Sequence, residues 1–261
     1  MKKYAAIWFK LASNELQQTF VNKWTNLLFL LGKLVRLATL ILLIVSLEHA
    51  VPSVAGFQTQ QLRLFVISYT LIDTVSQLIF RGVYVFSNSI RTGSFDLDLS
   101  QPINPLFRAL FGKPDIGDMF FLIPLGGVSA WLLRSLIPEL GFSTLLLSGV
   151  VLLDSLLIAA AFHIFVLCLG IITTEVNNTI MLYRDVSRFG MFPVAVYPNW
   201  LSLLFRTLIP LAVLFNLPAE VMGGLVPSVP IGVSVVLSVS FFSISLLAWK
   251  RALKEYSSAS S

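Results

Sequence analysis

Six long apolar stretches alternate with short polar segments along the chain. Each stretch is close to the roughly 20 residues that an α-helix needs to cross about 30 Å of hydrocarbon. A helix satisfies its own backbone hydrogen bonds in lipid, whereas the strands of a membrane barrel would be much shorter and would alternate in polarity. The pattern therefore predicts an all-α polytopic membrane protein with six transmembrane helices. We place these spans at residues 24–47, 62–86, 117–137, 144–172, 199–217 and 231–249.

Lysine and arginine residues fall on alternate connecting segments. Only Arg63 and Arg134 lie near the opposite side. Because loops rich in Lys and Arg stay in the cytoplasm, the asymmetry predicts cytoplasmic amino and carboxyl termini and supports an even number of crossings. The cations on the predicted cytoplasmic side are Lys2, Lys3, Lys10, Lys23, Arg81, Arg91, Arg108, Lys113, Arg184, Arg188, Lys250, Arg251 and Lys254.

Tyr4, Ile7, Trp8 and Leu11 recur at helical spacing before the first span, and polar side chains take other positions. This pattern is typical of a helix that lies in the membrane interface, where Trp and Lys are both favoured. We therefore predict an amino-terminal interfacial helix. The alternative is a simple cytoplasmic extension of the first span.

The composition agrees with a membrane domain, since 56% of the residues are hydrophobic, 12% are charged and the mean hydropathy is +0.86. Six spans and their loops use up 261 residues, so residues 1–261 are expected to form a single membrane domain. The net charge of +5 does not indicate a nucleic-acid partner, because the cations are spread over loops next to apolar segments. The single cysteine, Cys168, excludes a disulfide framework within the chain.

The longest polar segment, residues 81–108, joins the second and third spans. It mixes charges of both signs with apolar side chains, and Gly93, Pro102 and Pro105 divide it into short pieces. Because exposed apolar side chains need burial, we predict a contact surface for another protein. The alternative is that these side chains dip into the lipid headgroups. The apolar residues are Phe95, Leu97, Leu99, Leu106 and Phe107.

Part of that segment resembles a known family. Residues 90–102 read IRTGSFDLDLSQP and are similar to the cytoplasmic loop of ABC-2 type transporter permeases, in particular a bacterial six-span subfamily with the pattern I-x-x-G-x-x-D-x-x-L-x-x-P. A second likeness lies in YP at 197–198, Arg206, IP at 209–210 and LPA at 217–219, which resembles the fifth span of that subfamily and its exit. With the six predicted spans, the resemblance covers most of the chain.

The resemblance implies a permease subunit of an ABC exporter in the inner membrane of a bacterium. In that family two permeases, identical or related, pair with each other, and each docks an ATPase through a coupling helix between the second and third spans. ATP and Mg²⁺ then belong to the ATPase, and this chain is a transport subunit without a cofactor or an ATPase site of its own. Its sequence lacks the phosphate-binding pattern G-x-x-x-x-G-K-[ST]. Carried over to this sequence, the ATPase contact comprises Arg91, Gly93, Asp96, Pro102, Phe107 and Arg108.

Ionisable residues inside the spans cost about 2.5–3.5 kcal/mol each on insertion scales, so they are expected to face protein or water. Lys33, Arg36, Asp73 and Asp154 are the candidates for the substrate path. Counting about 1.5 Å per residue from the cytoplasmic helix ends places Lys33 and Asp73 at similar depth, which predicts a buried pair. The alternative is that Asp73, together with Asp154, presents negative charge to a cationic amphiphile. His163 has no second histidine or carboxylate at ligand spacing, so we interpret it as a packing residue and predict no metal site.

For the substrate, the resemblance and the two acids indicate a hydrophobic or cationic amphiphilic compound, as in drug or viologen efflux. A lipid or glycolipid is the alternative, which is favoured if Lys33 and Arg36 neutralise the acids. A non-catalytic membrane scaffold and an intramembrane lipid-modifying enzyme are further classes. The enzyme is disfavoured because His49 and His163 lie in different settings and neither H-x-x-x-H nor G-x-S-x-G occurs.

Overall fold

A computed structural model describes residues 2–50, 53–54, 57–133, 141–173 and 176–256. These residues are almost entirely helical, with one short antiparallel pairing of β1 (Ser53–Val54) with β2 (Phe57–Gln58). The α-helices are α1 (Lys2–Val21), α2 (Lys23–Ala50), α3 (Thr59–Phe80), α4 (Gly82–Arg91), α5 (Ser94–Ser100), α6 (Pro105–Phe111), α7 (Ile116–Leu133), α8 (Phe142–Thr173), α9 (Val176–Ser187), α10 (Asn199–Arg206), α11 (Leu217–Met222) and α12 (Ile231–Glu255).

Within the described residues, four helical stretches are long and apolar enough to cross a membrane. They are Lys23–Ser46 within α2, Gln61–Arg91 formed by α3 and α4, the whole of α8 and the whole of α12. The pair of α6 and α7, bent by 52°, adds a fifth if it is one span. The predicted all-α polytopic class is therefore confirmed. Residues 134–137 of the third predicted span, including Arg134, lie outside the described residues.

The fifth predicted span, residues 199–217, is not a continuous helix. α10 ends at Arg206, and the chain resumes in a π-helix at Ala212–Asn216 that leads into α11. Pro210 explains the break, because a proline ring clashes with the carbonyl group four residues earlier, which here belongs to Arg206. The helices of the described residues therefore do not confirm the predicted count of six spans.

Asn216 holds the two parts of this region together. Its buried side chain donates from Nδ2 to the carbonyl oxygens of Gly190 (3.0 Å) and Phe192 (3.1 Å), and its Oδ1 accepts from the backbone N–H of Val194 (3.0 Å). These bonds satisfy backbone groups outside regular helix, which matters because lipid offers them no partner. Residues 188–211, between α9 and the π-helix, form a segment that we name the excursion. The side chain of Asn216 fixes this segment to the π-helix.

Gly190 packs directly against Phe215 of the π-helix, and a Cβ built on this glycine would overlap the phenylalanine ring. We expect Gly190→Ala to lower the free energy of unfolding in detergent by about 1–3 kcal/mol, as at other overpacked sites. Gly232→Ala in α12 is the control, because its Cβ would meet nothing within 4 Å. Equal thermal stability of the two variants would contradict the packing of the excursion against the π-helix.

α8 is the central helix of the bundle and contacts α3, α4, α6, α9, α11 and α12. Ala159, Ala161 and Ile164 on this helix are fully buried. Small residues allow close approach between helices in lipid, where packing and not the hydrophobic effect drives association. α2 is peripheral and exposes Leu28 and Phe29 over about two-thirds of their surface.

α1, α5, α6 and the carboxyl end of α12 meet at one end of the bundle, which we name the terminal face. Lys3 Nζ donates to the carbonyl oxygen of Pro102 (3.0 Å), and the ring centroids of Tyr4 and Phe107 are 4.8 Å apart. Tyr256, just beyond α12, bonds to α5. The start of α1, the carboxyl end of α12 and the segment between the second and third predicted spans therefore lie on one side of the bundle.

Candidate docking loop and charged path

Residues 92–111 at the terminal face, which we name the docking loop, consist of α5, α6 and two turns. α5 follows Gly93, which takes a left-handed conformation (φ 69°) that glycine adopts without steric cost. Asn104 begins α6 by accepting a hydrogen bond at its side chain from the backbone N–H of Leu106 (2.9 Å), and Pro105 occupies the first turn. Sequence-local signals thus fix both short helices.

Aromatic packing attaches the docking loop to α4 and α12. Phe95 is buried, with its ring centroid 4.9 Å from that of Phe86 and 5.2 Å from that of Tyr256. The Tyr256 hydroxyl donates to Asp96 Oδ1 (2.9 Å). Burial, with this hydrogen bond as a second cause, raises the pKa of Tyr256 to about 12. The phenol therefore stays protonated, and remains a donor, throughout the neutral pH range.

Two further contacts make the loop rigid. Arg108 Nε lies 3.3 Å from Asp98 Oδ1 and joins α6 to α5. Burial raises the pKa of Asp98, and the positive charge of Arg108 opposes that shift. Gly82 lets α4 approach α6, because a Cβ at this position would overlap the carbonyl oxygen of Ala109.

The residues predicted to contact an ATPase divide into two groups. Arg91 and Pro102 are exposed. The others shape the loop through a turn or through internal contacts, and they are Gly93, Asp96, Phe107 and Arg108. Leu97 belongs to the contact surface predicted from apolar side chains but not to these six residues, and it is the most exposed large apolar residue of the loop at 65%. The role of the six residues in docking stays a prediction, and Leu97 is the added candidate.

Charged side chains from three elements meet beside the docking loop. Lys33 Nζ on α2 lies 2.5 Å from Asp118 Oδ1 on α7 and 3.8 Å from Asp115 Oδ2 just before that helix. Arg81 Nε, between α3 and α4, lies 3.5 Å from Asp115 Oδ2. The Asp118 side chain is only 4% exposed, so its charge depends on these cations.

Asp73 on α3 pairs with Arg36, whose Nη2 lies 3.3 Å from Asp73 Oδ2, and the same oxygen accepts from Gln77 Nε2 (2.9 Å). The predicted pair of Lys33 with Asp73 is therefore wrong. The depth count compared only two helices, whereas α7 and the residues before it bring two other carboxylates to Lys33. Together with the contacts above, three cations face three carboxylates, so Asp73 offers no uncompensated charge to an organic cation.

Asp154 lies apart from this cluster. It is 4% exposed and accepts hydrogen bonds from Ser234 Oγ and Ser238 Oγ, each at 2.8 Å, which join α8 to α12. Within the part of the chain that the structure describes, no cation forms an ion pair with Asp154. The structure therefore separates this residue from the three other candidates for the substrate path.

The double variant Ser234→Ala/Ser238→Ala removes both donors to Asp154. Leaving a buried acceptor without its donors costs about 1–3 kcal/mol, so we expect a marked fall in thermal stability, with transport per folded molecule unchanged. Ser243→Ala is the control, because its hydroxyl bonds only to Val239 of its own helix. A loss of transport at unchanged stability would instead place Asp154 on the substrate path.

His163 is fully buried on α8. Its Nδ1 lies 2.7 Å from the carbonyl oxygen of Ala159, and its ring centroid lies 5.0 Å from that of Phe80 and 4.9 Å from that of Tyr183. This setting agrees with the interpretation of His163 as a packing residue. Among the described residues, no group of three or more His, Cys, Asp or Glu side chains is placed to hold a metal ion.

A family model described as "ABC-2 family transporter protein" matches residues 34–260. The chain belongs to the ABC-2 transporter family. No curated protein and no solved structure matches it. The matched part of this ABC-2 permease begins within α2 and contains the docking loop, Asp154 and the interrupted helices of residues 199–217. The resemblance read from residues 90–102 is therefore confirmed, and the protein is a multi-pass membrane permease of this family.

The ABC-2 permease also holds a cavity of about 290 Å³ beside the Arg36–Asp73 pair. The sequence did not indicate this cavity, because Arg184 and Arg188 were interpreted only as signals of topology. Their spacing of four residues, which places two side chains on one helix face, was the available signal. The cavity is lined by Arg36, Tyr69, Asp73, Arg184, Ser187, Arg188 and Met191.

Proposed function

We propose that this ABC-2 permease forms the membrane path of an ABC exporter and that a separate ATPase subunit drives it. The docking loop carries the proposal, because it is anchored on α4 and α12 and presents Leu97 outward at the terminal face. An exposed apolar side chain on a rigid polar surface suits a protein contact better than open water. Membership of the ABC-2 family supports an ATPase as the protein in contact.

We assign the terminal face to the cytoplasm of a bacterial cell, with the bundle in the inner membrane. Basic residues follow the positive-inside bias when they flank spans on the cytoplasmic side. α1 and the carboxyl end of α12 supply such residues at this face, and they are Lys2, Lys3, Lys10, Lys250, Arg251 and Lys254. This placement brings the docking loop to the compartment that contains ATP.

ATP binding is assigned to a separate subunit because the sequence contains no phosphate-binding pattern. The partner ATPase holds ATP and Mg²⁺, and a second permease, identical or related, completes the path. Closure of the ATPase pair moves the docking loops, and the contacts of Phe95 and Tyr256 transmit that movement to α4 and α12. The inward and outward states then change in population because nucleotide binds them with different affinity.

For the substrate, the pairing of the acids favours a lipid-like amphiphile over a cationic drug. Asp73 is paired with Arg36, and Asp154 is enclosed by serine hydroxyls. Export of an organic cation is the second candidate, since the Asp73 carboxylate still lines the cavity. Growth of a deletion strain with a panel of cationic compounds tests it. Hypersensitivity that the wild-type gene reverses would favour the cation, and unchanged growth would favour the lipid.

Purification of the full-length permease from its native membrane at native expression tests the proposed function. We expect it to retain a subunit that carries G-x-x-x-x-G-K-[ST], and we expect the complex to hydrolyse ATP. Recovery of the permease alone under conditions that keep other ABC complexes intact would contradict the proposal.

A further inference from the structure

The cavity of about 290 Å³ lies between α2, α3 and the residues at the end of α9, and its walls carry an excess of positive charge. Three arginines and one carboxylate line it, so the lining carries a net charge of +2. Asp185, outside the lining, lies 3.1 Å from Arg188 and lowers this sum to +1. An anion is therefore attracted to the cavity and a cation is repelled.

Among the residues that the structure describes, N–H donors of Arg36 and Arg184 have no hydrogen-bond partner beyond the contacts named next. A guanidinium group carries five N–H donors, and Arg36 places one amino nitrogen, at 3.3 Å, against Asp73. The guanidinium carbon of Arg184 lies 5.9 Å from the centroid of the Tyr84 ring, and this cation–π contact is not a hydrogen bond to an N–H group. Planar, forked donors of this kind match the oxygens of phosphate and carboxylate.

The membrane placement proposed above puts the cavity near the depth where lipid head groups meet their chains. Arg184 is beside Tyr84, near the terminal-face end of the α3–α4 span, whereas Asp73 is eleven residues deeper, about 16 Å along a helix. Apolar side chains flank the cationic residues on both helices. Val35 precedes Arg36 and is 66% exposed, and Leu182 precedes Arg184 by two residues and is 63% exposed.

We propose that this cavity binds the anionic head group, phosphate or carboxylate, of an amphiphile whose apolar chains stay in the bilayer beside α2 and α9. The volume suits a head group, since sites that enclose a whole small molecule measure roughly 300–1,000 Å³. Arg36, Arg184 and Arg188 supply the positive charge that binds the head group. The claim that the bound amphiphile is the exported substrate rests on the proposed function. The claim that the cavity binds it does not.

Native mass spectrometry of the purified full chain, without ATP or a partner, tests the assignment. The probes are dioleoyl phosphatidylglycerol, dioleoyl phosphatidylcholine and dioleoyl trimethylammonium propane, which share their chains and differ in head-group charge. We expect retention of the anionic lipid over the other two. Arg184→Gln and Arg188→Gln are each expected to weaken it about fivefold, the effect of one basic residue at a membrane surface. Oleate as a competitor shows whether the preferred anion is a carboxylate or a phosphate.

Arg251→Gln, at an exposed position of α12 outside the cavity, is the matched control and is expected to keep the preference. Arg188 is 68% exposed, so its removal leaves the fold intact even if Arg184→Gln does not. Equal retention of the three lipids, or a preference that survives both cavity variants, would overturn the assignment. A permease that binds the anionic lipid but recruits no ATPase would contradict the proposed function and leave the lipid site standing. A permease that recruits an ATPase but shows no preference for the anionic lipid would contradict the lipid site and leave the proposed function standing.

Discussion

Leu97→Arg is expected to abolish ATP-driven transport while the permease remains folded and inserted. The leucine is 65% exposed on α5, so its replacement disturbs no internal packing. In the proposed complex it enters the ATPase surface, where loss of a central anchor costs about 2 kcal/mol or more, roughly 30-fold in affinity. The measurements are the amount of ATPase retained per permease and the transport rate in vesicles.

Two controls separate docking from general damage. Leu97→Met keeps an apolar side chain of similar volume and is expected to retain most activity. Val226→Arg places the same charge at a residue that is 91% exposed, in the segment before the amino end of α12 and thus at the opposite end of the bundle. Normal ATPase retention by Leu97→Arg, or an equal loss in Val226→Arg, would contradict the role of the docking loop.

Lys33→Leu is expected to lower the free energy of unfolding by about 3–5 kcal/mol. The substitution leaves Asp118, whose side chain is 4% exposed, without its cation, and unpaired buried charges carry a cost of that size. Thermal unfolding in detergent measures the effect. Lys250→Leu, at an exposed position of α12, removes a lysine outside the cluster and is expected to change stability little.

The double variant Lys33→Leu/Asp118→Leu completes the cycle. Because it removes the unpaired carboxylate together with the cation, we expect it to regain most of the lost stability. The single variant Asp118→Leu is the remaining member of the cycle. If the double variant is destabilised by the sum of the effects of Lys33→Leu and Asp118→Leu, the two side chains do not interact, since coupled residues depart from additivity.

The sequence predicted the long helices because span length and hydropathy are local properties of the chain. It did not predict the break in residues 199–217. Proline occurs within many membrane helices whose freed backbone groups find other partners, so Pro210 alone does not decide between a kink and an interruption. What holds the excursion is Asn216, which bonds to residues 22 to 26 positions earlier in the chain. Contacts between residues so far apart in the sequence cannot be predicted from the local order of apolar and polar residues.

The candidate site was partly predictable for a similar reason. The family pattern selected residues 90–102, most of which lie between apolar helical stretches in the structure, and their role in docking stays a prediction. The pattern passed over Leu97, which occupies one of its variable positions. The exposure of Leu97 depends on the burial of Phe95 against Phe86 and Tyr256, which involves three different elements. In the same way, the ion pair of Lys33 with Asp118 depends on the packing of α7 against α2, which the sequence pattern does not predict.

The most direct test of the account is the side of the membrane on which Leu97 lies. In intact cells, a membrane-impermeant maleimide is applied to Leu97→Cys and to Val226→Cys, in a chain whose only other cysteine, Cys168, is buried. We expect Val226→Cys to react at once and Leu97→Cys to react only after the membrane is permeabilised. Labelling of Leu97→Cys from outside intact cells would place the docking loop away from ATP and would contradict the central claim.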